Sequence, residues 1–161
     1  MKRLFVLILG FVLAFSLCAC LDFPAKEKTF TVEGVSLVLN DDFFVMNQVA
    51  PEYDFCISSE DIVILGMRLN LEENQLQGVS LEEYAQVFSE MMESDTELTQ
   101  LDGRPLVRYY SSDADGDLQI VNIVFYQTSE YFWLLNFISD QDDFDEDFPE
   151  IRKYANSVTF G

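Results

Sequence analysis

The sequence contains no histidine, and only three cysteines and nine lysines and arginines occur among its 161 residues. Without histidine, Ser-His-Asp and Cys-His arrangements are excluded, and so are zinc sites with histidine ligands. No glycine-rich phosphate-binding loop follows any predicted strand. The few basic residues are spread along the chain and form no basic patch, so nucleic acid is not an expected partner.

Acidic residues are present in large excess. The chain has 29 aspartates and glutamates and a formal net charge of −20. Such a surface repels nucleic-acid phosphates and anionic lipid headgroups, and it favours cations and basic partners. A solvated acidic surface without a specific partner would have the same composition. The charge therefore restricts the class of partner but does not identify one.

The N-terminus has the pattern of a lipoprotein signal. Lys2 and Arg3 precede an apolar run, Leu4–Leu17, which is too short for a comfortable membrane span of about 20 residues. Leu17-Cys18-Ala19-Cys20 resembles the bacterial lipobox, with Cys20 in the lipidated place; Cys18 as acceptor fits less well. The resemblance implies a signal peptide over residues 1–19 and a diacylglyceryl group on Cys20 that anchors the protein. An ordinary secretory signal or a plain anchor helix is the alternative.

Only one cysteine remains once the signal is removed and Cys20 is lipidated. Cys56 then has no partner for an intramolecular disulfide, although an extracytoplasmic compartment would permit one. Its neighbours Phe55 and Ile57 are apolar, as in a buried strand. We expect an inert, buried thiol and not a reactive nucleophile.

Two apolar runs dominate the second half of the chain. Leu118–Gln127 and Tyr131–Ile138 are rich in β-branched and aromatic residues and are separated by Thr128-Ser129-Glu130, which predicts a β-hairpin. Neither run alternates strictly, so both faces of each strand are apolar. A hairpin of this kind is expected in the middle of a sheet, with helices above and below.

The other elements have local signals. A first hairpin is predicted over Thr29–Leu39, turned by Glu33-Gly34, and a second pair of strands, Glu97–Leu101 and Leu106–Ser111, is turned by Asp102-Gly103. Residues 20–28 contain Pro24 and a lysine-glutamate-lysine run, and we interpret them as the lipidated cysteine and a tether. Residues 29–161 are predicted to form one domain.

Two helices are predicted. Ser80 and Glu83 form a capping box for a helix from about Leu81 to Met92 or Ser94. A second helix is predicted with Asp147 as N-cap and Pro149 in its first turn. Antiparallel strands with these two helices predict an α+β fold, a three-layer α/β/α sandwich around a central antiparallel sheet.

This arrangement resembles the PsbP-like family, in particular its bacterial lipoprotein branch. The segments that carry the resemblance are Phe30–Phe43, Ser80–Met92, Asp102–Pro105 and Ile151–Phe160. The resemblance implies the same α/β/α sandwich and a non-enzymatic accessory role. Plant photosystem members stabilise an assembly and help to retain calcium and chloride, and a nuclear import factor of similar fold binds a small GTPase. No binding residue of the family maps onto this sequence.

One turn has the composition of a metal site. Asp113, Asp115 and Asp117 place three carboxylates at alternate positions, and hard oxygen ligands of this kind suit Ca²⁺. The twelve-residue EF-hand loop is absent, because its glycine and final glutamate positions do not match. A second acidic segment, Asp142–Asp147, precedes the second helix. Aspartate is also favoured in turns and at helix N-termini without any metal.

Taken together, these features predict a membrane-anchored, extracytoplasmic lipoprotein that acts as a non-enzymatic binding or accessory module of the cell envelope. Its expected partners are the membrane, through the lipid on Cys20, and an envelope protein that contacts a sheet edge or loop surface. No cofactor is expected beyond that lipid; Ca²⁺ at the acidic turn belongs to the alternative reading. A calcium-dependent module is the alternative, and a hydrolase using two carboxylates is the weaker one.

Overall fold

The computed structural model describes residues 26–92, 96–113 and 115–161. The predicted signal peptide, Cys20 and residues 21–25 of the predicted tether lie outside the described residues. Ten strands and two helices form in the described part. The strands are β1 (Glu27–Val32), β2 (Val35–Asn40), β3 (Phe44–Val45), β4 (Phe55–Ser58), β5 (Ile62–Asn70), β6 (Glu97–Leu101), β7 (Arg104–Ser112), β8 (Leu118–Gln127), β9 (Tyr131–Asp140) and β10 (Thr159–Phe160). The helices are α1 (Leu81–Met91) and α2 (Phe144–Ser157).

Seven antiparallel strands form the main sheet, in the order β3-β4-β5-β9-β8-β7-β6. The predicted central hairpin is confirmed, because β8 and β9 pair from Gln119 opposite Asp140 to Gln127 opposite Phe132. β9 is the middle strand of the seven. Both faces of this hairpin are buried, as the lack of apolar–polar alternation predicted.

Side chains that alternate along the central strands supply two separate cores. On one face, Val124 and Leu135 pack in a core with residues of α2 and of a small sheet with the order β1-β2-β10. On the other face, Phe125 and Phe132 pack with Ala85 of α1. The protein is therefore the predicted three-layer α/β/α sandwich, and the three-stranded sheet shares the layer of α2.

α1 begins with the predicted capping box. The Ser80 hydroxyl accepts a hydrogen bond from the Glu83 N–H at 3.2 Å, and the Glu83 carboxylate accepts one from the Ser80 N–H at 2.9 Å. Two of the backbone donors that a helix start leaves unpaired are satisfied in this way. The helix ends at Met91, one residue before Met92, the earlier of the two predicted ends.

α2 begins four residues earlier than predicted, at Phe144, with Asp147 inside the first turn. The Phe144 and Phe148 rings pack 5.2 Å apart, and the Arg108 guanidinium of β7 lies over both, at 4.7 and 4.9 Å. These contacts stabilise the extra turn, and the acidic residues in it complement the positive end of the helix dipole. Pro149 lies inside the helix, so one backbone hydrogen bond is missing there.

The first strand begins two residues before the predicted domain boundary at Thr29. β1 starts at Glu27, which pairs with Asn40 of β2, and Lys28 pairs with Leu39. The Lys26 N–H donates to the Asp41 carboxylate at 3.1 Å. Backbone pairing holds this segment, although its side chains are exposed.

Across the described ranges, no helix is long and apolar enough to cross a bilayer.

Candidate functional site

The acidic turn between β7 and β8 is held by its own first aspartate. One oxygen of the Asp113 carboxylate accepts hydrogen bonds from three backbone N–H groups, those of Asp115, Gly116 and Asp117, at 2.8–2.9 Å. Gly116 has φ +94°, a left-handed conformation that glycine adopts without strain. Asp113 therefore fixes the turn, which is the role that aspartate has in turns that bind no metal.

The structure brings the acidic turn beside the second acidic segment. The end of β9 returns next to the start of β8, where the Gln141 N–H donates to the Leu118 carbonyl at 3.0 Å. An open groove of about 520 Å³ lies between the two segments. We call it the acidic groove; it is lined by Gly116, Asp117, Leu118, Asp140, Gln141, Asp142 and Asp143.

Two large apolar side chains are exposed at this end of the sheet. Leu118, in the groove, and Tyr110 of β7 are each 55% exposed. Tyr110 pairs with Ile120 and Ser112 pairs with Leu118, so Tyr110 and Leu118 lie diagonally on the same face of the sheet. An apolar surface beside a row of carboxylates suits a ligand that carries both apolar and positively charged groups.

Asp147 shows the strength of the negative field behind this groove. Burial raises the pKa of the Asp147 carboxyl, and neighbouring carboxylates raise it further. Those neighbours are Asp61, Asp143, Asp140 and Glu146. One oxygen of Asp147 is buried and has no hydrogen-bond partner within the described part of the chain. Added negative charge is unfavourable here, and a cation is favourable.

The predicted calcium ligands are not gathered around one point. Asp113 turns its carboxylate onto the backbone, and Asp117 lines the groove with acids of the other segment. In residues 26–92, 96–113 and 115–161, no three aspartate, glutamate, histidine or cysteine side chains form a group able to hold a metal ion. Calcium binding by Asp113, Asp115 and Asp117 stays a prediction.

The thiol of Cys56 is free and buried, with 8% of the residue exposed. Burial raises the pKa of this thiol above its ordinary value, which lowers its thiolate fraction. Both properties agree with the predicted inert cysteine. Cys20, the predicted lipidation site, lies outside the described residues.

A second hollow lies at the opposite end of the central hairpin, next to its turn. Arg68 of β5 stacks over the rings of Tyr131 and Trp133, and its Nε lies 3.0 Å from the Asp54 carboxylate. A weaker pair joins it to Glu33 at 3.4 Å. Since its charge is already paired and its face is stacked, Arg68 serves packing at this position.

Sequence reasoning did not find Leu118, Tyr110 and Asp140 as parts of one surface. One signal was available: counting outward from the turn Thr128-Ser129-Glu130 in a two-stranded ladder places Asp140 beside Leu118, one residue from its observed partner Gln119. That count joins the two acidic segments without any structure. No sequence pattern predicts the exposure of Leu118 and Tyr110, because that exposure depends on how far α2 extends over the sheet.

The antiparallel sheet, covered by α1 on one face and by α2 on the other, defines a PsbP-like fold. The solved structures that it resembles include PsbP (CyanoP) from the cyanobacterium Synechocystis, with a TM-score of 0.52, 10% identity, and coverage of 89% of this chain and 97% of that chain. LpqN of Mycobacterium tuberculosis, described as involved in cell envelope biogenesis, matches with a TM-score of 0.50, 14% identity, and coverage of 86% and 92%.

No protein-family model matches the sequence, and no curated protein matches it. At these identities the two structures show the fold.

Proposed function

We propose that this protein is a membrane-anchored, extracytoplasmic lipoprotein whose PsbP-like domain is a non-enzymatic binding or accessory module of the cell envelope. Lys2-Arg3, the apolar run Leu4–Leu17 and the motif ending at Cys20 support the location. The similarity to LpqN, a protein involved in cell envelope biogenesis, agrees with it.

The acidic groove is the observation that carries the proposed binding role. It combines the exposed Leu118 with carboxylates from two separate segments. Apolar contact supplies affinity, and the negative field selects a positively charged partner and speeds its approach. A basic surface of an envelope protein has the matching chemistry.

Capture of partners from envelope extract tests this role. The full chain in detergent, immobilised, should enrich a protein at about 0.01 M salt, where the Debye length is about 30 Å, and release it at about 1 M, where that length is about 3 Å. Leu118→Ser should reduce the capture. Val87→Ser is the matched control, because Val87 of α1 is 53% exposed, and it should capture as the unaltered protein does.

Two outcomes would contradict the proposal. In one, no protein is enriched at low salt. In the other, the same proteins are enriched by the Leu118→Ser variant in the same amounts, so that the groove is not the binding surface.

Calcium-dependent binding at the same end of the protein is the second candidate. It rests on the alternating carboxylates Asp113, Asp115 and Asp117 and on the negative charge of the adjoining groove, and it requires these side chains to move together, since no three of these described side chains are grouped around one point. A site held at about 100 times its dissociation constant adds about 2.7 kcal/mol to the free energy of unfolding. A saturable, Ca²⁺-selective rise in melting temperature that Asp115→Asn and Asp117→Asn remove would support it. An equal small shift with Mg²⁺ would mean charge screening only.

A further inference from the structure

We infer that the outer edge of β6 binds an extended, basic segment of a partner protein by strand addition, in the groove that β6 forms with α1. This inference goes beyond the binding role proposed for the acidic groove and names a second surface and the chemistry of its partner. It is independent of the acidic groove, which lies at the end of β8 and β9 and not along β6.

The two edges of the seven-stranded sheet differ. β3, at one edge, has only two residues, and so short a strand offers little backbone for pairing. β6, at the other, has five residues, Glu-Leu-Thr-Gln-Leu, and contains neither proline nor lysine, the residues that usually protect an edge. Among the described residues, no strand pairs with the outer side of β6.

The turn between β6 and β7 determines which backbone groups of β6 point outward. Asp102 and Gly103 form a two-residue turn with φ of +50° and +84°, and Leu101 pairs with Arg104 directly before and after it. Hydrogen-bonded and non-hydrogen-bonded pairs alternate along an antiparallel ladder, and the pair next to such a turn is hydrogen-bonded. The N–H and C=O groups of Leu98 and Gln100 therefore face away from β7, toward an added strand.

A groove runs between this edge and α1. It has a volume of about 500 Å³, and Leu98 and Gln100 form one wall while Glu82 and Gln86 form the other. Leu98 is half-buried in the α1 core, and Gln86 donates to the Glu90 carboxylate at 2.8 Å. A strand pairing with β6 would place every second side chain in this groove, against Leu98 and beside the Glu82 carboxylate.

The charge of the groove selects the occupant. Glu82 of the groove wall is exposed, and so is Glu90, further along α1, which accepts the hydrogen bond from Gln86. Glu97 lies on the other face of β6, where its carboxylate is 3.9 Å from Arg108, and does not contribute to the groove. A segment that alternates lysine or arginine with β-branched residues would match both the carboxylates and the strand conformation. A second copy of this chain would bring its own acidic edge, so like charges would oppose that pairing.

Fluorescence anisotropy with the full chain in detergent tests the inference. The probe is a short labelled peptide of alternating lysine and valine, and the control probe alternates lysine with proline, which keeps the charge but cannot pair as a strand. We expect saturable binding of the lysine-valine probe. The lysine-proline probe should bind about three- to tenfold more weakly, the loss that one or two hydrogen bonds would cause.

Two variants locate the binding. Gln100→Pro removes an outward N–H without removing a hydrogen bond to β7. Glu82→Lys reverses the charge of the groove wall. Each variant should bind the lysine-valine probe about three- to tenfold more weakly than the unaltered protein does. Glu60→Lys makes the same charge change at an exposed residue of the β4–β5 turn and should leave binding within about twofold. An unchanged melting temperature of Gln100→Pro shows that the fold is intact, and Glu82→Lys provides the test if it is not.

The inference is overturned if the unaltered protein binds no probe saturably, if both probes bind equally, or if Gln100→Pro and Glu82→Lys bind as Glu60→Lys does. A concentration-dependent dimer that Gln100→Pro abolishes would also overturn it, because the edge would then hold a second copy. Capture from envelope extract separates the two proposals. If every captured partner is retained by Gln100→Pro and lost in Leu118→Ser, the proposed function stands and this inference is overturned; a partner lost only in Gln100→Pro supports this inference.

Discussion

Gly66, in the middle of β5, is a buried position where a side chain has no room. A Cβ atom there would lie 2.1 Å from Cε1 and 2.3 Å from Cζ of the Phe55 ring, far inside normal contact. Phe55 pairs with Gly66 across β4 and β5, and its ring then reaches Trp133 at 6.2 Å. Glycine at this position lets an aromatic ring lie flat over a central strand.

Gly66→Ala should therefore destabilise the domain. The added methyl group must displace the Phe55 ring, and overpacking of this kind costs about 1–3 kcal/mol of unfolding free energy. Urea denaturation of the two proteins measures the difference. In a Phe55→Leu background the same substitution should cost less, because the clash is relieved; equal costs in both backgrounds would show that Phe55 is not the obstacle.

Asp102 connects α2 to the β6–β7 hairpin. Its carboxylate accepts hydrogen bonds from Nε of Arg152 and Nδ2 of Asn156, each at 2.7 Å, and Arg104 donates to the Asn156 side chain at 2.9 Å. The hydrogen bonds from Arg152 and Asn156 lower the pKa of Asp102 to about 2. One residue thus forms the turn and holds the last helix against it.

Asp102→Asn should change how the stability of the protein depends on pH in the acid range. Because the folded-state pKa of Asp102 lies below its ordinary value of 3.8, its stabilisation is present above that value and is lost as the pH falls through about 2. Asparagine tolerates the positive φ at this position, so the turn should persist. Thermal melts should show the variant less stable at about pH 6 and the gap closing toward pH 2. A gap that stays constant over this range would contradict the role of the charge.

Elements specified by nearby residues could be predicted from the sequence, and those that depend on distant contacts could not. The capping box of Ser80 and Glu83 and the turn Asp102-Gly103 are local patterns, and both occur as expected. The start of α2 was wrong by a turn, because Phe144 is held by Arg108, which lies 36 positions earlier in the chain. The need for glycine at position 66 also depends on distant contacts, because strand register places Phe55 opposite it.

The distribution of charge over the whole protein follows from one structural requirement. Both faces of the central hairpin are buried, so the excess of acidic residues is confined to turns, helix surfaces and strand ends. Two acidic segments thereby meet at the end of β8 and β9 and form the acidic groove. Composition alone predicted a cationic or basic partner. The surface where that partner would bind could be located only from the register of the sheet.

Attachment to the membrane at Cys20 is the central claim, since the proposed partners depend on where the domain is held. We would measure the intact mass of the full-length protein purified from membranes of cells that express it. The account predicts a chain that begins at Cys20 and carries a diacylglyceryl group, and the same product for Cys18→Ser. Cys20→Ser should give no lipidated product. A membrane-bound protein that retains residues 1–19, or a cleaved protein without lipid, would contradict the claim.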